Sequence, residues 1–229
     1  MAIEHATLIE ELARIDTPTL SNAVEQLQVR NPVSGFADLN LRCLAPELGV
    51  MCGTAVTAQS VTMAPEPGDR EQALLQYVKI CEELEALPGP GVVVIQEVGP
   101  HPDFAVHCGD VMATLFQRFG GVGVVSDAAV RDLHELRKLG FKVFARGLVA
   151  SHANFHLVHL QVPVTVCGLI IEPGDLLHGD SNGLIKVPEE GREELPRLAA
   201  NVTEREKGLQ SFIRGPEATP DNIYERFTH

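Results

Sequence analysis

The sequence predicts an α/β fold built on parallel βαβ units, and two observations carry that expectation. Short apolar runs rich in β-branched residues, Val92-Val93-Val94-Ile95 and Val122 to Val125, read as strands covered on both faces. Between and beyond them lie helix-length segments with apolar residues at helical spacing, joined by short links marked with glycine or proline. Strand, helix, strand, helix, strand in that order is the pattern of a layered protein with a parallel sheet.

Each element follows from local chemistry. Thr7 to Ile15 has helical apolar spacing, and Asp16-Thr17-Pro18 supplies a cap followed by proline at a first helical position, so two short helices are expected, ending near Gln28. Arg30 to Leu48 reads as irregular chain, and Gly53 to Val61 as the first strand. Pro65-Glu66-Pro67-Gly68-Asp69 is a turn in which Asp69 can cap a helix whose apolar stripe is Ala73, Leu74, Tyr77, Val78, Cys81 and Leu84. Pro88 to Gly91 stops it.

After Val92 to Ile95, a helix is predicted over Val111 to Phe119, a strand over Val122 to Val125, a short helix over Leu133 to Leu139 ended by Gly140, and a strand over Phe141 to Ala145. Beyond Gly147 the pattern changes. Strand-like pieces in Val162 to Ile171, then Leu176 to His178 and Leu184 to Val187 around Gly179-Asp180-Ser181-Asn182-Gly183, predict antiparallel strands added to the same sheet, with Asn182-Gly183 favouring a positive-φ hairpin turn. A helix follows from Pro188 to about Gly215, which Pro196 kinks or restarts. The chain reads as a single domain, 1–229, with N-terminal helices in 1–28 and a C-terminal helix and tail in 189–229. The tail from Pro216 has few apolar anchors and is expected at a subunit interface.

Composition excludes several classes. The chain carries 31 acidic against 18 basic residues, a formal charge of −13, which repels phosphate backbones, so no nucleic acid is expected as partner. Five cysteines without CxxC spacing suggest neither a zinc cluster nor a disulfide framework. The N-terminus lacks the basic and apolar regions of a secretory signal, and no apolar run reaches the roughly 18 residues of a membrane helix. A cytoplasmic protein with no membrane contact is expected.

Candidate chemistry concentrates in His107 to Asp132. Gly109-Asp110 opens a helix, so the free N–H groups of Asp110, Val111 and Met112 can face an anion, although Asp110 can also act only as a cap. Asp132-Leu133-His134-Glu135 fits a capping box, yet the neighbouring Arg131, at the end of a buried strand, needs an anionic partner that its planar fork suits. Asp127 can hold a water or fix the turn. His152, His156 and His159 lack a metal-ligand pattern and read as surface or packing residues; Cys108 has no assignable base partner. GxGxxG and Walker patterns are absent.

Gly109-Asp110-Val111-Met112-Ala113, Gly123-Val124-Val125-Ser126-Asp127 and Ala129-Val130-Arg131-Asp132 together resemble the signature of the RraA-like family, which includes the regulator of ribonuclease activity A and the class II, metal-dependent 4-hydroxy-4-methyl-2-oxoglutarate aldolases. Ile15 to Ser21, Gly53 to Thr57, Pro173-Gly174-Asp175, Gly179 to Gly183 and Pro188 extend the likeness over roughly Ile15 to Pro188. The resemblance implies an α/β/β/α sandwich of the swivelling-domain type, assembled as trimers or hexamers with active sites between subunits.

By motif position, Gly109, Asp110, Val111 and Met112 resemble the segment that holds the pyruvyl end of the substrate. Arg131 resembles the substrate-binding arginine, and Asp132 the residue that holds a divalent cation, Mg2+ or Mn2+. The implied function is a lyase acting on a 2-oxo acid, by retro-aldol cleavage or oxaloacetate decarboxylation to pyruvate. Asp110 and Arg131 are its catalytic residues, and a metal-linked water oriented by Asp110 serves as base. The alternative is a non-catalytic regulator of an RNA-processing enzyme. Ala128 stands where the family commonly has glycine, and Asn22 where an aspartate is common.

Overall fold

The four β-branched runs in the middle of the chain form four neighbouring parallel strands in a computed structural model that describes residues 2–63, 69–152 and 154–228. In chain order the elements are α1 (Ala2–Leu12), α2 (Thr17–Leu27), β1 (Arg42–Cys43), β2 (Met51–Thr62), α3 (Asp69–Ala86) and β3 (Gly91–Glu97). Then come β4 (Val106–Cys108), α4 (Asp110–Arg118), β5 (Gly121–Ser126), β6 (Ala129–Val130), α5 (Leu133–Leu139), β7 (Lys142–Ala145) and β8 (Gly147–Leu148). The last part holds β9 (Phe155–Leu160), β10 (Val164–Val166), β11 (Leu169–Ile171), β12 (Leu176–Asp180), β13 (Gly183–Val187), α6 (Leu195–Arg214) and α7 (Pro220–Thr228).

The main sheet runs β1-β7-β5-β3-β2-β12-β13, parallel from β7 through β2 and antiparallel at both edges. The long strand β2 serves two neighbours on one side: Met51 to Thr54 pair with β12, and Ala58 to Thr62 with β9. Alternation decides what each face meets. Val93, Ile95, Val124 and Val143 pack with Leu84, Phe116 and Leu136 of α3, α4 and α5, whereas Val92, Val94, Val125 and Phe144 pack with Val164, Val166 and Ile171 of the β10–β11 hairpin. Both faces are covered, which is why β3 reads as an unbroken apolar run. Helices α1, α2 and α6 close a third cluster around Leu176, Ile185 and Val187. The mixed α/β class expected from the sequence is the class found.

The site rests on a second, small sheet. After β3, β5 and β7 leave the main sheet, the chain re-pairs as β4, β6 and β8, a parallel three-stranded set of two or three residues each. Such strands are too short to carry a hydrophobic period, and the sequence does not announce them.

Several expectations are corrected. Leu74 and Val78 are exposed; the buried face of α3 is Tyr77, Ile80, Cys81 and Leu84. The turn at 65–68 and the side chain of Ala73 lie outside the described residues. Pro196 sits in the first turn of α6, where its missing N–H costs nothing, so it starts that helix rather than bending it. The β12–β13 hairpin is present, but only Gly183 has positive φ (137°); Asn182 turns instead through its own N–H and Nδ2, both bonded to Asp180 Oδ1. The tail forms α7, with Arg226 5.5 Å over the Phe212 ring.

Candidate functional site

Strands β4 and β6 lie side by side with Cys108 opposite Val130, so the turns leaving their carboxyl ends meet. One turn holds Gly109, the N-cap of α4, and Asp110, its first residue. The other holds Arg131 and Asp132, the N-cap of α5. The amide of Arg131 donates to Cys108 O at 3.0 Å, tying the turns together. Asp132 Oδ2 stands 3.2 Å from Arg131 Nε and accepts from the amide of Asp110 at 3.4 Å. A Cβ on Gly109 would come within 2.6 Å of Asp132 Oδ2 and 3.1 Å of Arg131 Nε, so the missing side chain is what makes room for both.

Asp132 is not a conventional cap. Its backbone is left-handed (φ 55°, ψ 36°) and its side chain makes no capping bond to α5, so the capping-box reading fails although the pattern Asp132 to Glu135 fits it. A non-glycine residue in that region costs about 1–2 kcal/mol, held here by the neighbouring bonds. Its Oδ1 is uncommitted among the described residues. Asp110 Oδ1 accepts from the amide of Val111 at 2.7 Å. The amides of Asp110 and Val111 therefore already face carboxylates, contrary to the expectation of open donors at those two positions, whereas the amide of Met112 faces none among the described residues; Arg131 brings a charged donor to meet an incoming anion. Its side chain is 36% exposed.

Val106 to Met112 and Arg131 line a cavity of about 240 Å3 together with Tyr77, His152 and Asn154; Asp132 lies next to this lining, bonded to Arg131 and Asp110. That volume lies just below the range of drug-sized pockets and suits an acid of a few carbons. The three histidines are not gathered as ligands: His152 lines the cavity, His156 Nε2 is 3.1 Å from Asn154 Nδ2, and His159 Nδ1 is 3.2 Å from Gln59 Oε1. The segment from 155 to 160 is a strand, so His152 and His156 share no helical face. Among the described residues no group of three or more His, Cys, Asp or Glu could hold a metal ion.

Cys108 is buried, and burial, then the charges of Asp132 and Asp110, push its thiol up to about 12, which removes it as a nucleophile. Asp127 lies away from the cavity; its Oδ1 accepts from the amide of Glu97 at 2.7 Å, which fixes the turn after β5.

Sequence reasoning missed a buried polar network behind the cavity. His107 is fully buried, with Nδ1 2.8 Å from Ser126 Oγ and Nε2 2.8 Å from Ser60 Oγ and 3.3 Å from Glu97 Oε2. Burial favours the neutral acid, but hydrogen bonds from His107, from the amide and hydroxyl of Thr62, and from Ser60 outweigh it and hold the Glu97 carboxyl at about 2. Serine, histidine and glutamate are gathered here as in a hydrolytic triad, but the acid and Ser60 share Nε2 while Nδ1 meets Ser126, and both serines are at 0% exposure. The signal was Glu97 ending an apolar strand. A separate clamp joins the ends of the family-like region: Thr17 N donates to Asp180 Oδ2 at 2.8 Å, and His178 bridges Thr17 Oγ1 and Leu12 O, each at 3.1 Å. Asn22 Nδ2 donates to Glu206 Oε1, linking α2 to α6.

Fold and site together define a mixed α/β protein with a small, arginine-bearing cavity at the carboxyl ends of two short parallel strands. The chain belongs to the RraA-like family, whose model, described as Aldolase/RraA, matches residues 17–186. A protein of Halalkalibacterium halodurans provisionally named 4-hydroxy-4-methyl-2-oxoglutarate aldolase is 33% identical over 141 residues, covering 61% of this chain and 62% of that protein. Uncharacterized protein MJ0644 of Methanocaldococcus jannaschii is 35% identical over 109 residues, 46% of this chain and 52% of the relative. The chain thus spans about half to three-fifths of these two relatives. Among solved structures, Streptomyces coelicolor RraAS2, titled an unusual member of the RNase ES inhibitor RraA protein family, shares the fold at a TM-score of 0.67, with 24% identity over 89% of this chain and 96% of that one.

Proposed function

We propose that this protein is a carbon–carbon lyase acting on a small 2-oxo acid, by retro-aldol cleavage of a 4-hydroxy-2-oxo acid or by decarboxylation of oxaloacetate, with pyruvate released in both. The observation that carries the reading is the meeting of Arg131 and Asp132 over Gly109, where Gly109, Asp110 and Arg131 line a cavity of about 240 Å3 and Asp132 stands beside that lining. The names of the aldolase relatives support the reaction class.

Arg131 offers a planar fork to the substrate carboxylate, and the turn from Gly109 to Met112 seats that end. Asp132 keeps Oδ1 available while Oδ2 is held by Arg131 and the Asp110 amide. One hard carboxylate oxygen at a solvent-reached position fits Mg2+ or Mn2+, which take few protein ligands and keep waters. When bound, such an ion supplies Lewis-acid charge stabilisation to an adjacent 2-oxo acid.

In the retro-aldol direction the 4-hydroxyl gives up its proton, the C3–C4 bond breaks, and its electron pair passes toward C2 as the enolate of pyruvate. Protonation at C3 completes pyruvate, and the other fragment leaves with a new carbonyl at C4. Asp110 orients the water that takes the hydroxyl proton and returns one at C3. Oxaloacetate reaches the same enolate by losing CO2 instead. The protein works in the cytoplasm as a homotrimer or hexamer, with the segment 189–229 at a subunit interface.

The test follows pyruvate release from oxaloacetate and from 4-hydroxy-4-methyl-2-oxoglutarate, with Mg2+ and with a chelator. Magnesium-dependent release from either is expected. Release from neither overturns the lyase and leaves the regulator that contacts an RNA-processing enzyme.

A further inference from the structure

We propose that a second recess, at the amino end of β6, is a binding site for a small dianionic oxyanion, held by Arg42 and Arg146. The candidate cavity lies beyond the carboxyl end of the same strand, and the two share no lining residue. This inference is independent of the lyase reading.

The fold places both arginines on the wall of one recess. In the antiparallel pair of β1 with β7, Arg42 stands opposite Ala145, the residue before Arg146. The amide of Arg146 is pinned to Ala128 O at 3.0 Å, which fixes the backbone from which that arginine projects. Both side chains line a recess of about 330 Å3, with Asn40 on its rim.

The charge there is opposite to that of the molecule. In a chain of net charge −13, this recess has two arginines and a single acid, Asp103. The acid is a loose partner: its Oδ1 is 3.6 Å from Arg146 Nη1 and its side chain is 78% exposed, against 2.7 Å for the Arg137–Glu47 pair. Arg42 has no ion-pair or hydrogen-bond partner for its guanidinium among the described residues. A dianion that displaces Asp103 satisfies both forks and balances both charges.

The lining also says what the ligand is not. It contains no aromatic side chain on which a base could stack, so a nucleotide is disfavoured. Oxygen-rich, compact and doubly charged is the class that remains, and inorganic phosphate and a short dicarboxylate share that chemistry.

Thermal unfolding and isothermal titration at constant ionic strength, with phosphate in one series and malonate in the other, test the site. Saturable stabilisation by at least one of them is expected, and phosphate or malonate alone tells a tetrahedral from a carboxylate ligand. Arg146→Gln and Arg42→Gln each weaken binding by about tenfold or more, Asp103→Asn tightens it, and Arg131→Gln leaves it unchanged. Should Arg146→Gln fail to unfold cooperatively, Arg42→Gln at an exposed position carries the same test. The proposal is overturned if neither anion binds saturably, if Arg131→Gln abolishes binding while both other variants retain it, or if sedimentation shows that Arg42→Gln or Arg146→Gln dissociates an assembly, which would give the arginines to a second copy of the chain.

Discussion

Gly109 and Asp132 face each other across the mouths of two parallel strands, and a single methyl group would come within 2.6 Å of the carboxylate. Gly109 has φ −129° and ψ −172°, extended backbone that alanine adopts freely, so the constraint is one of space and not of conformation. Gly109→Ala should therefore fold with a loss of at most about 1 kcal/mol, while Asp132 and Arg131 are pushed off their positions. Displacement of reacting groups by about an ångström costs on the order of a hundredfold in rate, and kcat/KM for pyruvate release is expected to fall by that amount. Wild-type kinetics in Gly109→Ala would show that the close approach has no part in the site.

Asp132 separates function from stability. It sits in the left-handed region without capping its helix, an arrangement in which asparagine is tolerated and glycine is unstrained. Asp132→Asn is expected to unfold within about 0.5 kcal/mol of wild type, and Asp132→Gly within about 1 kcal/mol, because relief of the left-handed strain opposes the greater freedom of glycine in the unfolded chain. Both should lose metal-dependent turnover by more than the roughly 10–100-fold seen when an outer-shell partner is removed. Urea melts beside pyruvate assays decide it; turnover retained in Asp132→Asn would remove the residue from the metal proposal.

What was legible in the sequence follows from what the elements touch. Strands β3 and β5 are covered on both faces, so Val92 to Ile95 and Val122 to Val125 are unbroken apolar runs. Helix α2 begins where Asp16 Oδ1 accepts from Thr19 N at 3.0 Å, and α5 ends where Gly140 turns left-handed at φ 69°, both local devices with local signatures. The sequence marks Gly109 to Asp132 as a candidate site, but not what supports that stretch. Strands β4, β6 and β8 are too short to show a period, and the partners of His107 come from β2, β3 and β5. Asp132 misled in a different way, because its local pattern is that of a cap and only tertiary contacts turn it elsewhere.

Cys108 sits one residue from Gly109, yet it should be chemically silent. Its thiol is buried and held at about 12, so almost none is thiolate near neutral pH. Iodoacetamide on the native protein is expected to leave activity intact, with Cys108 unmodified by mass spectrometry. Cys108→Ala should retain kcat within about twofold while costing about 1 kcal/mol for the lost volume. Rapid inactivation protected by substrate would contradict this.

Acid should destabilise the fold in two stages, with two separate buried polar clusters responsible. Burial lowers the pKa of His178 below 6.5 despite the bond to Leu12 O and the nearby Asp180, so the unfolded chain takes up that proton first. Stability tied to this group is complete above about pH 6.5 and declines as pH falls below it. Glu97 behaves the same way at lower pH. Its folded value of about 2 lies under the ordinary 4.5, so its contribution is complete above 4.5 and is lost as pH falls toward 2. A difference of that size corresponds to on the order of 3 kcal/mol. Urea melts from pH 8 to pH 3 should show a shallow decline beginning near 6.5 and a steeper one below 4.5. Glu97→Gln should remove the steeper stage and lower stability at neutral pH, because Thr62, Ser60 and His107 then face an amide in place of a carboxylate. A Glu97→Gln variant that kept the wild-type slope below pH 4.5 would mean that the buried network does not set the acid limit of this fold.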